Sequence, residues 1–276
     1  MPFRPGDGGV DPGMSPHPDR LIFGTNPLST MPSRRAAFRL LETALDVGIS
    51  HFDTARAYGQ GYGERLVGEF ARAHGASLDL TAKVGLGPFG SSRLPTWAAL
   101  PANAWRRRLR TSQAPSASAP RGPARRPPPL SSDDARRYLD ATLRSLRVDR
   151  VHTLLLHERL PAALDDRALD FFVGLRRDGV VGELGTGTNA FVLDAYYEPV
   201  EGFTVLQYEG AGADGLPDLG DRFPDHTHYR HGFLRDLGGA DPAAVLAAAQ
   251  TEIPSGKVLF STRSVDRLRQ NVRPSS

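Results

Sequence analysis

Four side chains of this sequence have types and spacing suited to proton transfer. Asp53 and Tyr58 lie five residues apart, Lys83 follows after one helix-length interval, and His157 ends a later apolar run. A tyrosine phenol has a reference pKa of about 10, so it is a poor acid at neutral pH unless its anion is stabilised. We expect the Lys83 ammonium to lower the pKa of Tyr58 and the Asp53 carboxylate to fix that ammonium. With His157 donating a hydrogen bond to a substrate oxygen, the group could protonate a carbonyl. Because no protein side chain delivers a hydride, a nicotinamide cofactor is implied.

Lysine is rare in this chain, which makes Lys83 informative. Of the 34 lysine and arginine residues, only Lys83 and Lys257 are lysine. Arginine keeps its charge on a wide planar fork, whereas lysine offers a compact charge on a slim stem. Leu78 and Leu80 alternate before Lys83, which indicates the end of a strand. We therefore expect a site at Lys83 that arginine would not serve.

Composition indicates an ordinary globular protein. The chain has 276 residues, 39% of them apolar and 24% charged, which suits one large domain or two small ones. It contains no run of about 18 apolar residues and no apolar stretch near its start, so we expect no membrane partner and a cytoplasmic location. The absence of cysteine excludes disulfides, thiolate metal sites and cysteine nucleophiles.

A basic, proline-rich segment follows Lys83. Residues 80–132 contain eight arginines and no acidic residue. Such a segment buries little apolar surface, so 86–130 is predicted to be a loop insertion, much of it disordered. Trp105 beside Arg106 would suit nucleic-acid binding by stacking and phosphate contact. We expect this segment to be a basic flap that lies beside a binding site for a phosphorylated ligand. We expect no nucleic-acid partner, because the flanking chain has the pattern of an enzyme scaffold.

Short apolar strands alternate with amphipathic helices along the chain. Strands are predicted at 21–24, 50–53, 78–83, 151–157, 183–187, 203–208 and 257–261, and helices at 33–47, 64–74, 133–146, 169–177, 191–197, 242–250 and 265–272. Ser33, and either Ser131 or Ser132, are predicted N-caps. This alternation with short turns requires parallel strands, in an open doubly wound sheet or a closed barrel.

Polar side chains favour the barrel. Asp53, Lys83, His157 and Asn189 come at or just after the C-terminal ends of successive strands, where a barrel gathers its loops over one mouth. We therefore predict an α/β fold, a parallel (β/α)8 TIM barrel, as a single domain over 19–276. Residues 1–18 are predicted to be a disordered tail.

The last quarter of the sequence fits this barrel least well. Residues 209–256 hold one clear helix where a complete barrel needs about two helices and a strand, so the sequence leaves open whether the barrel is abbreviated around strand seven. Residues 225–234 could form a degenerate strand and its loop. His226, His228 and His231 have a spacing that could bind a metal, but no carboxylate pattern accompanies them. We expect a solvated loop there and no metal site.

The sequence around the four proton-transfer side chains resembles the signature of the aldo-keto reductase family, in the form of a short bacterial member. The resemblance rests on 53–59, on Gly63, Glu64 and Gly68 after it, and on 145–157, and it covers nearly the whole chain apart from the termini, 86–130 and 209–256. It implies that Tyr58 is the general acid and base, that Lys83 and Asp53 tune it, and that His157 orients the carbonyl.

The same resemblance implies residues that bind NADP(H). Residues 185–189 resemble the segment that holds the nicotinamide carboxamide, which implies Asn189 with Gln207 beside it. Residues 185–190 also fit the fingerprint G-x-G-x-x-A, which is a weak signal this far from the N-terminus. Residues 260–271 are similar to the family's adenosine clamp, which favours NADP over NAD. The clamp residues are Ser261, Thr262, Arg263 and Arg267 near the 2′-phosphate and Asn271 at adenine.

Two departures from the family pattern leave alternatives open. The region after strand six is shortened where the family stacks an aromatic ring on the nicotinamide, and the 86–130 insertion directly follows Lys83. The sequence predicts an NADP(H)-dependent oxidoreductase that reduces an aldehyde or ketone, such as a sugar or specialised metabolite, or catalyses the reverse reaction. The alternatives are a lyase, dehydratase or epimerase on the same barrel, and a barrel that binds cofactor without turnover. The expected partner is a small-molecule carbonyl compound, and the oligomeric state is left open.

Overall fold

The chain forms a closed barrel of eight parallel strands that pair in chain order. The computed structural model describes residues 14–74, 78–87, 129–210, 217–235 and 237–273. The strands are β1 (Leu21–Gly24), β2 (His51–Asp53), β3 (Asp79–Val84), β4 (Val151–His157), β5 (Val181–Gly187), β6 (Phe203–Glu209), β7 (Thr227–His231) and β8 (Lys257–Phe260). The first strand pairs with both β2 and β8, which closes the ring. The predicted (β/α)8 TIM barrel is confirmed.

Helices pack around the outside of the barrel. They are α1 (Arg34–Asp46), α2 (Tyr62–His74), α3 (Ser132–Leu146), α4 (Asp166–Arg177), α5 (Ala190–Tyr196), α6 (Leu219–Arg222), α7 (Pro242–Thr251) and α8 (Val265–Val272). The predicted cap at Ser33 is present, since its hydroxyl accepts a hydrogen bond from the backbone nitrogen of Ala36. Ser131 rather than Ser132 caps α3. Phe52 of β2 and Phe70 of α2 stack edge to face at 5.8 Å, within the core between barrel and helices.

The barrel is complete at strand seven, so it is not abbreviated there, and the segment considered as a degenerate strand contains β7. Tyr229 of β7 pairs with Gln207 of β6 on one side and with Lys257 of β8 on the other. The predicted solvated loop is wrong for the same reason: His228 is buried, and its Nδ1 lies 3.0 Å from the hydroxyl of Tyr208. This strand has few apolar residues because histidine and tyrosine hydrogen bonds replace apolar burial.

Residues that alternate along the strands fill the barrel interior in layers. One buried cluster consists of Ile22, Leu155, Val205 and Tyr229, from four different strands. At the N-terminal end of the strands, Lys257 Nζ lies 3.1 Å from Nδ1 of His51. Lys83 lies near the C-terminal end of β3, so the two lysines of the chain lie toward opposite ends of the barrel.

The predicted division of the chain into a tail, a single barrel domain and a loop insertion stays a prediction. Residues 1–13 of the expected tail and 88–128 of the expected insertion lie outside the described residues. His17, within the predicted tail, exchanges two hydrogen bonds of 2.8 Å between its backbone and the side chain of Gln250. Among the described residues, no helix has the length and apolar character needed to cross a membrane. The cytoplasmic location also stays a prediction.

Candidate active site

A lysine, a carboxylate and a phenol meet at the C-terminal mouth of the barrel. Adjacent pairing of β2 and β3 brings Asp53 beside Lys83, whose Nζ donates hydrogen bonds of 2.5 Å and 2.7 Å to the two carboxylate oxygens. The same ammonium lies 3.0 Å from the hydroxyl oxygen of Tyr58, in the loop between β2 and α2. Asp53 and Lys83 are 2% and 3% exposed, so the ammonium is held by its partners rather than by water.

The protonation of this trio is set by burial and by the neighbouring charges. Burial raises the pKa of Tyr58 above its ordinary value, and the opposing effect of Lys83 is smaller. Burial acts to lower the pKa of Lys83, but the Asp53 carboxylate and Tyr58 raise it overall. Lys83 lowers the pKa of Tyr58 as predicted, but desolvation of the phenolate outweighs this effect and the net shift is upward. Tyr58 is a neutral phenol beside a charged ammonium.

His157 lies at the same mouth, as the last residue of β4. Its ring centroid is 6.2 Å from that of Tyr58, with the two rings nearly perpendicular. Burial, with a smaller contribution from Lys83, lowers the pKa of His157 to about 3. Its Nδ1 is buried and has no hydrogen-bond partner among the described residues. A neutral imidazole has one N–H donor and one acceptor nitrogen, so His157 can donate to a substrate oxygen.

A cavity of about 280 Å³ opens over Asp53, Tyr58 and Lys83, and His157 adjoins Tyr58 without lining this cavity. Five residues predicted from the sequence line it, namely Asp53, Tyr58, Lys83, Gln207 and Ser261. Gln207 Nε2 donates a 2.8 Å hydrogen bond to Oδ2 of Asp53, so the buried carboxylate has a second partner besides Lys83.

Several residues that line this cavity were not predicted from the sequence to belong to the active site. They are Gly24, Asn26, Gly232, Phe233, Leu234, Arg235, Leu259, Phe260 and His231. His231 is the last residue of β7, and burial lowers its pKa to about 4. The strand-end rule that identified Asp53 would also have identified His231, had β7 been recognised as a strand. Asn26, shortly after β1, follows the same rule.

A family model described as the Aldo/keto reductase family matches residues 20–194. The chain belongs to this family. It is therefore a member of an oxidoreductase family that acts on carbonyl compounds. A search of curated proteins found no match to the sequence.

Solved structures share the fold of this aldo-keto reductase at low sequence identity. A Pseudomonas aeruginosa protein assigned to the aldo-keto reductases has a TM-score of 0.64 at 19% identity, covering 96% of this chain and 92% of its own. The holo form of an aldo-keto reductase from Bacillus halodurans has a TM-score of 0.63 at 18% identity, covering 92% and 86%. A Klebsiella pneumoniae aldo-keto reductase in complex with NADPH has a TM-score of 0.62 at 17% identity, covering 93% and 85%.

The residues predicted to bind cofactor are not all at the cavity. Gln207 and Ser261 line it, whereas Asn189 is exposed and its side chain accepts a 2.9 Å hydrogen bond from the backbone nitrogen of Phe191 as the cap of α5. Thr262 Oγ1 accepts a hydrogen bond from the backbone nitrogen of Ser264. Asn271 is buried on α8.

Two of the predicted clamp residues are exposed arginines at the start of the last helix. Arg263 precedes α8 and Arg267 lies in its first turn, and both are exposed. Gly185 of the weak fingerprint is an interior strand residue, where a Cβ would overlap the backbone of Val205. Close strand packing therefore explains this glycine without a phosphate.

Among the described residues, no group of three histidine, aspartate or glutamate side chains is arranged to hold a metal ion.

Proposed function

We propose that this aldo-keto reductase uses NADP(H) to reduce the carbonyl group of a small aldehyde or ketone, or catalyses the reverse oxidation. The main support for this proposal is the 3.0 Å contact between Lys83 Nζ and the Tyr58 hydroxyl. This contact lies at a cavity wide enough for part of a cofactor and a small substrate. The buried carboxylate behind that ammonium keeps its charge in place.

The geometry supports a direct proton transfer by Tyr58. The neutral phenol donates its proton to the carbonyl oxygen as negative charge develops there, and the phenolate left behind accepts a hydrogen bond from Lys83. Asp53 holds Lys83 in position throughout. His157 donates a hydrogen bond to the same substrate oxygen, which aligns the carbonyl against Tyr58. NADPH, when bound in this cavity, supplies the hydride for the carbonyl carbon.

The cavity lining fits the nicotinamide end of such a cofactor. Gln207, His231 and Ser261 share the cavity with Tyr58, and they offer an amide, a flat ring and a hydroxyl. Arg263 and Arg267 place two exposed cations at the start of α8, which suits a 2′-phosphate and favours NADP(H) over NAD(H). Relatives from Klebsiella pneumoniae solved with NADPH, and with NADP and acetate, support the same cofactor.

Cofactor titration tests this proposal. We expect NADPH to bind with a change in nicotinamide fluorescence, and to be oxidised when members of a panel of aldehydes and ketones are added. The Arg263→Ala/Arg267→Ala variant should weaken NADPH binding while leaving NADH binding unchanged, because only NADPH carries the 2′-phosphate.

Each rival function gives a different result. A protein that binds neither dinucleotide would contradict the proposal. Binding without oxidation across the panel would favour a cofactor-binding barrel without turnover. Conversion of a hydroxy-carbonyl compound without NADPH consumption would favour lyase, dehydratase or epimerase chemistry.

A further inference from the structure

A buried ion pair lies beneath the loop that carries Tyr58. Arg56 Nη1 donates a 2.5 Å hydrogen bond to Oε2 of Glu64, and the two side chains are 1% and 0% exposed. The same nitrogen lies 3.1 Å from the carbonyl oxygen of Ala141 and 3.1 Å from the hydroxyl of Ser145, both on α3. Thr142, also on α3, donates a 2.9 Å hydrogen bond to the other carboxylate oxygen of Glu64. The pair therefore ties the β2–α2 loop to a neighbouring helix.

The loop above this pair has an unfavourable backbone. Gly59, Gln60 and Gly61, which directly follow Tyr58, have φ values of 59°, 57° and 81°. Gln60 and Gly61 have the positive φ values of the central residues of a type I′ turn, and the backbone N–H of Tyr62 donates a 3.2 Å hydrogen bond to the carbonyl oxygen of Gly59. Gln60 has a Cβ that disfavours this region. A Cβ placed on Gly61 would lie 3.7 Å from a guanidinium nitrogen of Arg56, so the loop lies directly against that guanidinium. Contacts outside the turn, such as the one with Arg56, help to hold Gln60 at its positive φ.

The two helices beneath the loop, α2 and α3, are closely packed. A Cβ added at Gly68 of α2 would overlap the backbone of Ser145 and Leu146, so α2 and α3 meet at backbone distance. Glu64 lies one turn before Gly68 on α2, and Ser145 is itself a partner of Arg56. The ion pair therefore connects the strained loop to two helices that have little freedom to shift.

Stability alone does not explain why charges are buried here. Replacement of a buried ion pair by apolar side chains of similar size is often neutral or stabilising, because both charges must be desolvated. Burial raises the pKa of Glu64 to about 7 against the opposing effects of Arg56 and Thr142, which reflects this cost. The directional hydrogen bonds of the pair provide something that apolar packing does not, namely a fixed position for the loop.

We propose that Arg56 and Glu64 are positioning residues that hold the Tyr58 hydroxyl against Lys83 during turnover. Neither side chain touches the cavity, so they act through the backbone of residues 56–64. The proposal rests on carbonyl reduction as the function of the site. A misplacement of about 1 Å at a reacting group can cost roughly 10²-fold in rate, so loss of the pair should appear in kcat.

Single and double substitutions separate positioning from stability. Arg56→Met leaves the Glu64 carboxylate buried without its cation, and should lower both Tm and kcat. Arg56→Met/Glu64→Met removes both charges, and should recover most of the Tm while kcat stays about 10- to 100-fold below wild type. The Kd for NADPH should stay within about threefold of the wild-type value in the double variant, because the pair does not line the cavity. Arg34→Met is the matched control, because it breaks the exposed ion pair between Arg34 of α1 and Glu69, which lies on α2 like Glu64. This variant should change neither Tm nor kcat.

Two results would overturn the proposal. Recovery of kcat together with Tm in the double variant would mean that the pair only supports folding. Unchanged kcat in Arg56→Lys and Glu64→Gln, which keep most of the shape but lose the bonding pattern, would mean that these contacts do not position Tyr58.

A second measurement keeps this test separate from that of the proposed function. Hydrogen–deuterium exchange of the peptide covering 54–61 should be faster in the double variant than in wild type, at temperatures where both are folded. If wild type shows no carbonyl reduction, the proposed function fails, and this exchange rate alone decides whether the pair orders the loop. Equal exchange in the two proteins would then reject the pair's role.

Discussion

The ammonium nitrogen of Lys83 lies 3.0 Å from the hydroxyl oxygen of Tyr58. Lys83 is also the donor to both carboxylate oxygens of Asp53, so its three N–H groups all have partners. The Tyr58 hydroxyl is therefore the group of these three that can donate a proton into the cavity. The direction of proton transfer in the proposed reaction follows from that arrangement.

Replacement of Lys83 by arginine should abolish most of the turnover. The Lys83 side chain is buried and fits its compact charge between its two partners, and the wider guanidinium cannot reach Asp53 and Tyr58 in the same geometry. We expect Lys83→Arg and Lys83→Met each to lower kcat on the order of 10²-fold or more. Lys257→Arg, at the other end of the barrel, is the control and should retain turnover. Wild-type kcat in Lys83→Arg would show that charge alone suffices.

His157 should make the protein sensitive to acid. Its folded-state pKa is lowered to about 3 from an ordinary value of 6.5, so between these values the unfolded chain binds the proton and the folded protein does not. The stabilisation from neutral His157 is complete above about pH 6.5 and is lost as pH falls toward 3, with a slope of at most about 1.4 kcal/mol per pH unit. Denaturant unfolding of wild type and His157→Gln between pH 7 and 4.5 measures this. The wild type should lose stability faster, and parallel curves would show that His157 titrates normally.

Gln207 should tolerate methionine better than glutamate. Its amide nitrogen lies 2.8 Å from Oδ2 of the buried Asp53 carboxylate, so Gln207→Glu places a second carboxylate against the first. The two cannot both ionise at that distance, and the Lys83–Asp53 pair would be disturbed. We expect a lower Tm and a lower kcat in Gln207→Glu than in Gln207→Met, measured by thermal unfolding and NADPH oxidation. A Gln207→Glu protein as stable as Gln207→Met would show that the hydrogen bond does not persist in solution.

Two helix glycines should respond in opposite ways to alanine. At Gly68 a Cβ would overlap the backbone of α3, so Gly68→Ala forces α2 and α3 apart and should destabilise the protein by about 1–3 kcal/mol. At Gly174 of α4 the nearest atom to a Cβ is 3.7 Å away, at the end of the flexible Arg177 side chain. Gly174→Ala should therefore stabilise by up to about 1 kcal/mol through helix propensity. Denaturant titration of both variants measures the two changes in the free energy of unfolding. Equal changes would contradict the close contact between α2 and α3 at Gly68.

Sequence patterns predicted the fold well where burial is apolar. The predicted bounds of β4 and α8 agree with the structure, since a largely buried apolar run and a capped amphipathic repeat leave little ambiguity. The seventh strand was uncertain because Thr227–His231 alternates polar and aromatic residues and depends on its neighbours for hydrogen bonds. Its partners lie far away in sequence, so local pattern could not reveal them.

The candidate site was predicted in part. Asp53, Tyr58, Lys83 and His157 come together as strand order required. Asn189 also follows a strand end, but its side chain caps a helix and is exposed, which sequence position alone could not decide. The raised pKa of Tyr58 depends on how deeply the phenol is buried, a quantity that no spacing pattern contains.

The effect of Tyr58→Phe on turnover tests the central claim most directly. This variant removes one hydroxyl and leaves the ring in place, so cofactor binding and folding should be preserved. We expect NADPH to bind with the wild-type Kd while the reduction of an accepted carbonyl substrate slows on the order of 10²- to 10⁴-fold. Reduction at the wild-type rate would contradict the assignment of Tyr58 as the proton donor.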